Sequence, residues 1–210
     1  MERERITISI RKGILDKIDE TIDGVMIRNR SHAIEHLVTQ SLDVDLIKNA
    51  IILVGGKNAN KSLPVVTRAL EQLKESGFET VHIALGYLAD KVKSEIGNGD
   101  KFGLNVEYVE EGEGSGGALL PVKEKFTKTF LVINPGNIVP KKFDQLLEYH
   151  KNHNSVATIV TDDITDLKGV YLFEPQVFDY IPEGFSMLEN DIFPKLLDDQ
   201  ELIVYPVTHS

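Results

Sequence analysis

Two kinds of residue pattern in this 210-residue chain could do chemistry. Arg5-Ile-Thr-Ile-Ser-Ile-Arg11 alternates donor-bearing side chains (Arg5, Thr7, Ser9) with isoleucines at the period of a β-strand, so one face offers hydrogen-bond donors and the other is apolar. Gly55-Gly56, and later Gly112-Glu-Gly-Ser-Gly-Gly117, are loops in which a backbone can approach a flat or phosphorylated ligand. A βα turn also uses glycine, so neither loop alone identifies a site. The triphosphate-binding pattern G-x-x-x-x-G-K-[ST] is absent. There is no cysteine, which removes disulfides, thiolate metal sites and cysteine nucleophiles. His32/His36 and His150/His153 stand one helical turn apart, but no carboxylate pattern converges on either pair, so they read as surface residues and no metal is expected. Asp162-Asp163 and Asp198-Asp199 read as solvated loop charges.

The elements that would position these residues fall into two blocks. After the first strand come Gly13 and then Ile14, Leu15, Ile18 and Ile22 at helical spacing, ended by Gly24. Asn29-Arg30-Ser31 supplies capping side chains for a second helix with Ala33, Ile34, Leu37, Val38 and Leu42 on one face. A β-α-α unit of this size has too little surface to bury three apolar faces alone, so a second copy is expected to pair strand with strand. The donor face of such a two-stranded ribbon fits a DNA major groove.

The first block resembles the ribbon-helix-helix family, through R-x-T-x-S on the strand, the glycine between the helices and N-R-S-x-A-I at the second helix. The resemblance implies a homodimer bound to double-stranded DNA. Arg5, Thr7 and Ser9 would read bases, and Asn29, Arg30 and Ser31 would hold a phosphate at a helix N-terminus. Antitoxins of this family also bind proteins, which leaves a protein-binding module as an alternative. Residues 1 to 42 hold seven basic and seven acidic side chains, so the net charge of −10 lies wholly beyond them and would oppose wrapping of DNA by the remainder.

From residue 49 onward strands and helices alternate. Strands are predicted at 50–54, 80–85, 105–109, 130–134 and 156–161, with helices at 66–76, 88–96 and 141–153. This is the pattern of a mostly parallel sheet covered by helices on both faces, with ligands at the carboxyl ends of the strands. The expected domains are 1–45 and 49–210.

This second block is similar to the sugar-1-phosphate nucleotidyltransferases, a Rossmann-like α/β family. The similarity runs through A-I-I-L-V-G-G at 50–56, K-S-L-P-V at 61–65, L-G-Y-L-A-D-K-V at 85–92, F-G-L-N-V-E-Y-V-E-E at 102–111 and G-S-G-G-A-L at 114–119. It continues through G-V-Y-L-F-E-P-Q-V-F-D-Y-I-P at 169–182 and L-E-N-D-I-F-P-K-L-L at 188–197. The resemblance implies a nucleobase and ribose pocket at Leu53, Gly55, Gly56, Glu111, Gly114, Ser115 and Gly117, with Lys61 placed to meet a phosphate.

The departures from that family are specific. Its G-x-G-T-R loop is missing between Gly56 and Lys61, its metal-binding aspartate is replaced by Asn137, and no Glu-Lys-Pro segment lies between Thr161 and Gly169. An asparagine is a weak ligand where a divalent cation must offset phosphate charge. The expectation is therefore a DNA-binding transcriptional regulator whose second domain is a pseudoenzyme that senses a nucleotide or nucleotide-sugar. The alternative is an active sugar-1-phosphate nucleotidyltransferase with an added dimerisation module. No cofactor is expected. The first residues do not read as a signal peptide, and no run approaches the ~20 apolar residues needed to span a bilayer, so a cytoplasmic location is expected.

Overall fold

The computed structural model describes residues 5–24, 27–41, 47–54, 59–85, 89–110, 112–134, 143–161, 167 and 169–207. The chain divides into two compact units, Met1–Leu46 and Ile47–Ser210.

In the first unit two helices form, α1 (Lys12–Glu20) and α2 (Arg30–Ser41). The Asn29 side chain accepts the His32 N–H at 3.0 Å, so it caps α2 as its residue type predicts. Arg30 grips Asp19 with two hydrogen bonds of 2.7 and 2.6 Å, tying the start of α2 to the end of α1. The predicted strand does not form: residues 5–11 have no regular secondary structure. A strand gains its ladder only from a partner's N–H and C=O groups, and alternation in sequence supplies the faces without the partner. Within the described residues of the unit, the buried apolar side chains are Ile18 and Ala33.

The second unit is built on a seven-stranded sheet in the order β3-β2-β1-β4-β6-β5-β7. Its strands are β1 (Asn49–Val54), β2 (Thr80–Leu85), β3 (Asn105–Glu110), β4 (Phe130–Ile133), β5 (Ala157–Thr161), β6 (Val170–Phe173) and β7 (Leu202–Pro206). Strands β1 to β4 run parallel, as do β5 and β7, whereas β6 is antiparallel to both its neighbours. The sheet is thus mixed and mostly parallel.

Central strands covered on both faces are apolar at nearly every position, which is why β1, β2 and β4 read as largely apolar runs rather than as alternation, with His82 on β2 a buried exception. Period two still sorts the side chains. Ile52, Val54, Ile83 and Leu85 pack with Val66, Leu70 and Leu73 of α3 (Ala59–Glu75), Val92 and Ile96 of α4 (Ala89–Ile96), and Leu146 of α6 (Phe143–His153). Ile51, Leu53, Ala84 and Val132 face the opposite layer, made of short turns and a final helix, α7 (Phe193–Asp198). That layer has an aromatic seam: Phe130 stacks on Phe126 at 4.4 Å and on Phe178 at 5.6 Å, and meets Phe173 edge-on.

Helix α3 begins well before the predicted residue 66. Pro64 lies inside it, but a proline this near a helix start removes one backbone bond, and the packed Val66-Leu70-Leu73 face outweighs that loss.

The histidines also depart from expectation. His150 is buried, its Nδ1 2.7 Å from the Thr158 hydroxyl and its Nε2 3.1 Å from Glu174, which also accepts a 2.7 Å bond from Thr129. His82 is buried on β2 against Phe126, 3.2 Å from Glu107, and its burial holds it below the usual imidazole range. His153 is exposed, as expected.

Candidate active site

The carboxyl ends of β1 to β4 share one edge of the sheet, and β6 starts at that same edge because it runs the other way, with Val170 opposite Ile133. The chain therefore brings Leu53 on β1, Asn134 just after β4, and Gly169 and Tyr171 at the start of β6 to one rim. Two further segments complete it, the glycine loop and the Gly184–Glu189 stretch.

The glycine loop forms a single turn of helix, α5 (Gly114–Gly117). Gly114 has φ +83°, and a Cβ there would run into the Ser186 carbonyl oxygen. The same carbonyl accepts the Gly116 N–H at 2.8 Å, and the Glu113 carbonyl accepts the Ser186 N–H at 3.0 Å. A Cβ on Gly112 would collide with the Gly117 carbonyl. The close backbone approach for which these glycines are needed is thus made within the chain, between the loop and residues 184–187.

Ser115 joins the two segments. Its hydroxyl accepts the Leu188 N–H at 2.9 Å and donates to Glu189 Oε2 at 3.2 Å. Glu189 sits on a single wide π-turn, Leu188–Ile192, whose Asp191 carboxylate accepts the Met187 N–H at 2.7 Å. Turns of this kind often re-aim a side chain at a functional position. The other Glu189 oxygen lies 3.4 Å from Asn134 Nδ2 and 3.5 Å from the Tyr171 hydroxyl, both long hydrogen bonds. The Gly169 N–H donates to the Tyr171 hydroxyl at 3.1 Å. Burial pushes the phenol of Tyr171 far above its ordinary range, so it remains a neutral donor.

Of the residues singled out from sequence, Leu53, Gly114, Ser115 and Gly117 are brought to this rim or its loop. Leu53 is buried, and Ser115 is half-buried. Gly55, Gly56, Glu111 and Asn137 lie outside the described residues, and Lys61 lies on α3 with its side chain outside them too. Arg5, Thr7 and Ser9 are exposed on an irregular segment. Asn29 is used as a cap, Arg30 is paired with Asp19, and Ser31 is exposed in the first turn of α2. Sequence reasoning missed Asn134, Tyr171 and Glu189 as site residues. Tyr171 and Glu189 stand in stretches that carry the family resemblance and Asn134 does not; for Asn134 and Tyr171 the signal that could have found them is a polar residue at a strand end among apolar neighbours, whereas Glu189 sits on the π-turn and had no such signal. Among the described residues, no three histidine, aspartate or glutamate side chains converge as a metal site. No helix among them is long and apolar enough to cross a membrane.

Comparison with known proteins bears on this rim. The chain is 27% identical to a UTP–glucose-1-phosphate uridylyltransferase of Synechocystis, over 64% of this chain and 47% of that protein. It is 26% identical to a mannose-1-phosphate guanylyltransferase of Mycobacterium tuberculosis, over 75% of this chain and 57% of that protein. It spans about half the length of the curated relatives it matches. A crystal structure of a putative glucose-1-phosphate thymidylyltransferase from Bacillus anthracis, in complex with a sucrose, shares the fold with a TM-score of 0.59 at 20% identity, covering 76% of this chain and 87% of that one.

These relatives correct the expected function. They are named as sugar-1-phosphate nucleotidyltransferases, and nothing in the likenesses supports a DNA-binding transcriptional regulator or a pseudoenzyme. The expectation of lost catalysis rested on the missing loop between Gly56 and Lys61, on Asn137 in place of an aspartate, and on the absent Glu-Lys-Pro segment between Thr161 and Gly169. Phosphate charge and a cation can be held by groups from several elements, so departures at these motif positions do not establish loss of the reaction. Residues 51–168 match the nucleotidyl transferase family, more than half of the chain, and the chain belongs to that family.

Proposed function

We propose that the unit from Ile47 onward transfers a nucleotidyl group from a nucleoside triphosphate to a sugar 1-phosphate. A phosphate oxygen of the sugar 1-phosphate attacks the α-phosphorus of the triphosphate; a new P–O bond forms as the α–β bridge breaks, and pyrophosphate leaves. The observation that carries this reading is the family match across 51–168 on a sheet whose parallel strands end at one polar rim. Leu53, Gly55, Gly56, Glu111, Gly114, Ser115 and Gly117 would hold the base and ribose, and Lys61 would meet a phosphate. Pre-positioned donors and cations supply most of the catalysis in such transfers. Among the described residues, no three histidine, aspartate or glutamate side chains gather as a divalent-cation site.

We further propose that the first unit is an added dimerisation module of ribbon-helix-helix type. Ile6 and Ile8 are 74% and 53% exposed in the single chain, and Ile14 and Val38 are nearly half exposed, which favours a second copy as their cover.

Incubation with each of the four common NTPs, Mg²⁺ and a panel of sugar 1-phosphates tests the first proposal. Pyrophosphate release requiring both substrates is expected for at least one pair. Absence of release for every pair refutes the transferase reading.

A further inference from the structure

We infer that Glu189 selects the acceptor substrate by accepting hydrogen bonds from the hydroxyl groups of its sugar ring. The inference rests on the transferase reading for the identity of the acceptor, and on geometry for the residue.

Among the described residues, only neutral donors reach the half-buried Glu189 carboxylate. Ser115 Oγ reaches one oxygen, while Asn134 Nδ2 and Tyr171 Oη reach the other at longer range. No lysine, arginine or histidine pairs with it among the described residues. A carboxylate has about four lone-pair sites and donates nothing when ionised. Three donors, two of them at 3.4 and 3.5 Å, leave acceptor capacity unused at the rim. A partly desolvated charge in that condition favours a ligand that brings O–H donors, because charge-assisted O–H···O⁻ bonds are about twice as strong as neutral ones.

The carboxylate's own charge decides which end of the acceptor it meets. It repels the 1-phosphate and the triphosphate alike, and it attracts ring hydroxyls. In the sheet it stands away from the β1 side of the expected base pocket and meets that pocket at Ser115. Leu53 and the glycines after it follow β1, whereas Asn134 follows β4 and Tyr171 lies on β6, one strand farther from β1. The Ser115 hydroxyl, itself held by the Leu188 N–H, and the π-turn position Glu189 from within the chain.

The experiment compares the full-length chain with its Glu189→Gln variant, using glucose 1-phosphate, mannose 1-phosphate and their monodeoxy analogues. Pyrophosphate release gives KM for each substrate, and calorimetry gives sugar 1-phosphate and NTP binding separately. The variant is expected to raise KM and Kd for the preferred sugar 1-phosphate at least tenfold while changing those for the NTP less than twofold. One monodeoxy analogue should bind wild type and variant equally, since the hydroxyl that Glu189 reads is then missing on the ligand instead of on the protein.

Equal sugar affinity in wild type and variant overturns the inference. So does a penalty that falls on the NTP, or one that persists across every deoxy analogue, or a wild type that binds no sugar 1-phosphate. A wild type that binds a sugar 1-phosphate but releases no pyrophosphate sinks the transferase reading while the calorimetric comparison still decides the role of Glu189.

Discussion

The two units differ in what they do with similar amounts of sequence patterning. Both carry clear apolar periodicity, yet the described part of the first unit buries only Ile18 and Ala33, whereas the second buries both faces of its central strands down to zero exposure at Ile51, Ile52, Leu131 and Val132. The lesson is that an amphipathic pattern specifies which face will be covered and not what covers it. In the second unit the cover is supplied from within the chain by α3, α4, α6 and the aromatic seam. In the first, a strand-forming face remains uncovered and the strand is not formed.

The comparison is broken most forcefully from inside the seam. Phe130→Ala should destabilise the second unit by about 3–5 kcal/mol, because three neighbouring rings cannot collapse onto the space left behind. Chemical denaturation followed by circular dichroism measures it, and a loss under about 1 kcal/mol would show that the seam relaxes freely.

On the first unit, Ile8→Asp should convert a dimer into a monomer, since the ribbon pairing would bury an unpaired charge. Sedimentation equilibrium should show the mass halved while the main unfolding transition stays in place. An unchanged mass removes the dimerisation proposal.

A smaller effect separates the two ends of the sheet. Burial works to raise the Glu174 pKa, but the bonds from His150 and Thr129 together outweigh it and hold the carboxyl below its usual range. Its folded pKa is therefore below the unfolded value of about 4.3. The stability it contributes is present above that unfolded value and is lost as pH falls through the folded pKa. Glu174→Gln has no such titration, so its stability should change less than that of wild type as pH falls from about 7 to about 3. A parallel pH dependence for the two proteins would show that the network does not hold Glu174 ionised.

The smallest effect is expected at Arg30→Ala. Its ion pair with Asp19 is exposed, so screening leaves little net stabilisation despite good geometry. The midpoint of thermal unfolding should stay within error of wild type, and the α1 and α2 helical signal should persist. A large loss of that signal would mean that this one pair orders the helices.

Much of the fold was legible in the sequence, and so was part of the site. Strands β1, β2 and β3 lie within a residue of their predicted bounds because each is a short run rich in β-formers closely followed by a glycine. Leu53, Gly114, Ser115 and Gly117 were singled out through the family resemblance, whose motifs are local signals, and the fold brings them to the rim or its loop. Glu189 was not, since its role depends on a π-turn and on Ser115, seventy-four residues away in sequence. His150 misled for the same reason: no carboxylate pattern converged on it in sequence, so it read as a surface residue, while contact with Thr158 and Glu174 buries it. The antiparallel β6 had no sequence mark that set its direction.

By itself, the sequence determined the alternation of strands and helices, the family and the two-part organisation of charge, because each follows from residue type at short range. Only the tertiary structure decided that a loop glycine is needed for the Ser186 carbonyl, that β6 returns to the rim where β4 ends, and that Glu189 gathers three donors there. Those are meetings between residues distant in the chain, and only the packed sheet with its covering layers brings them together.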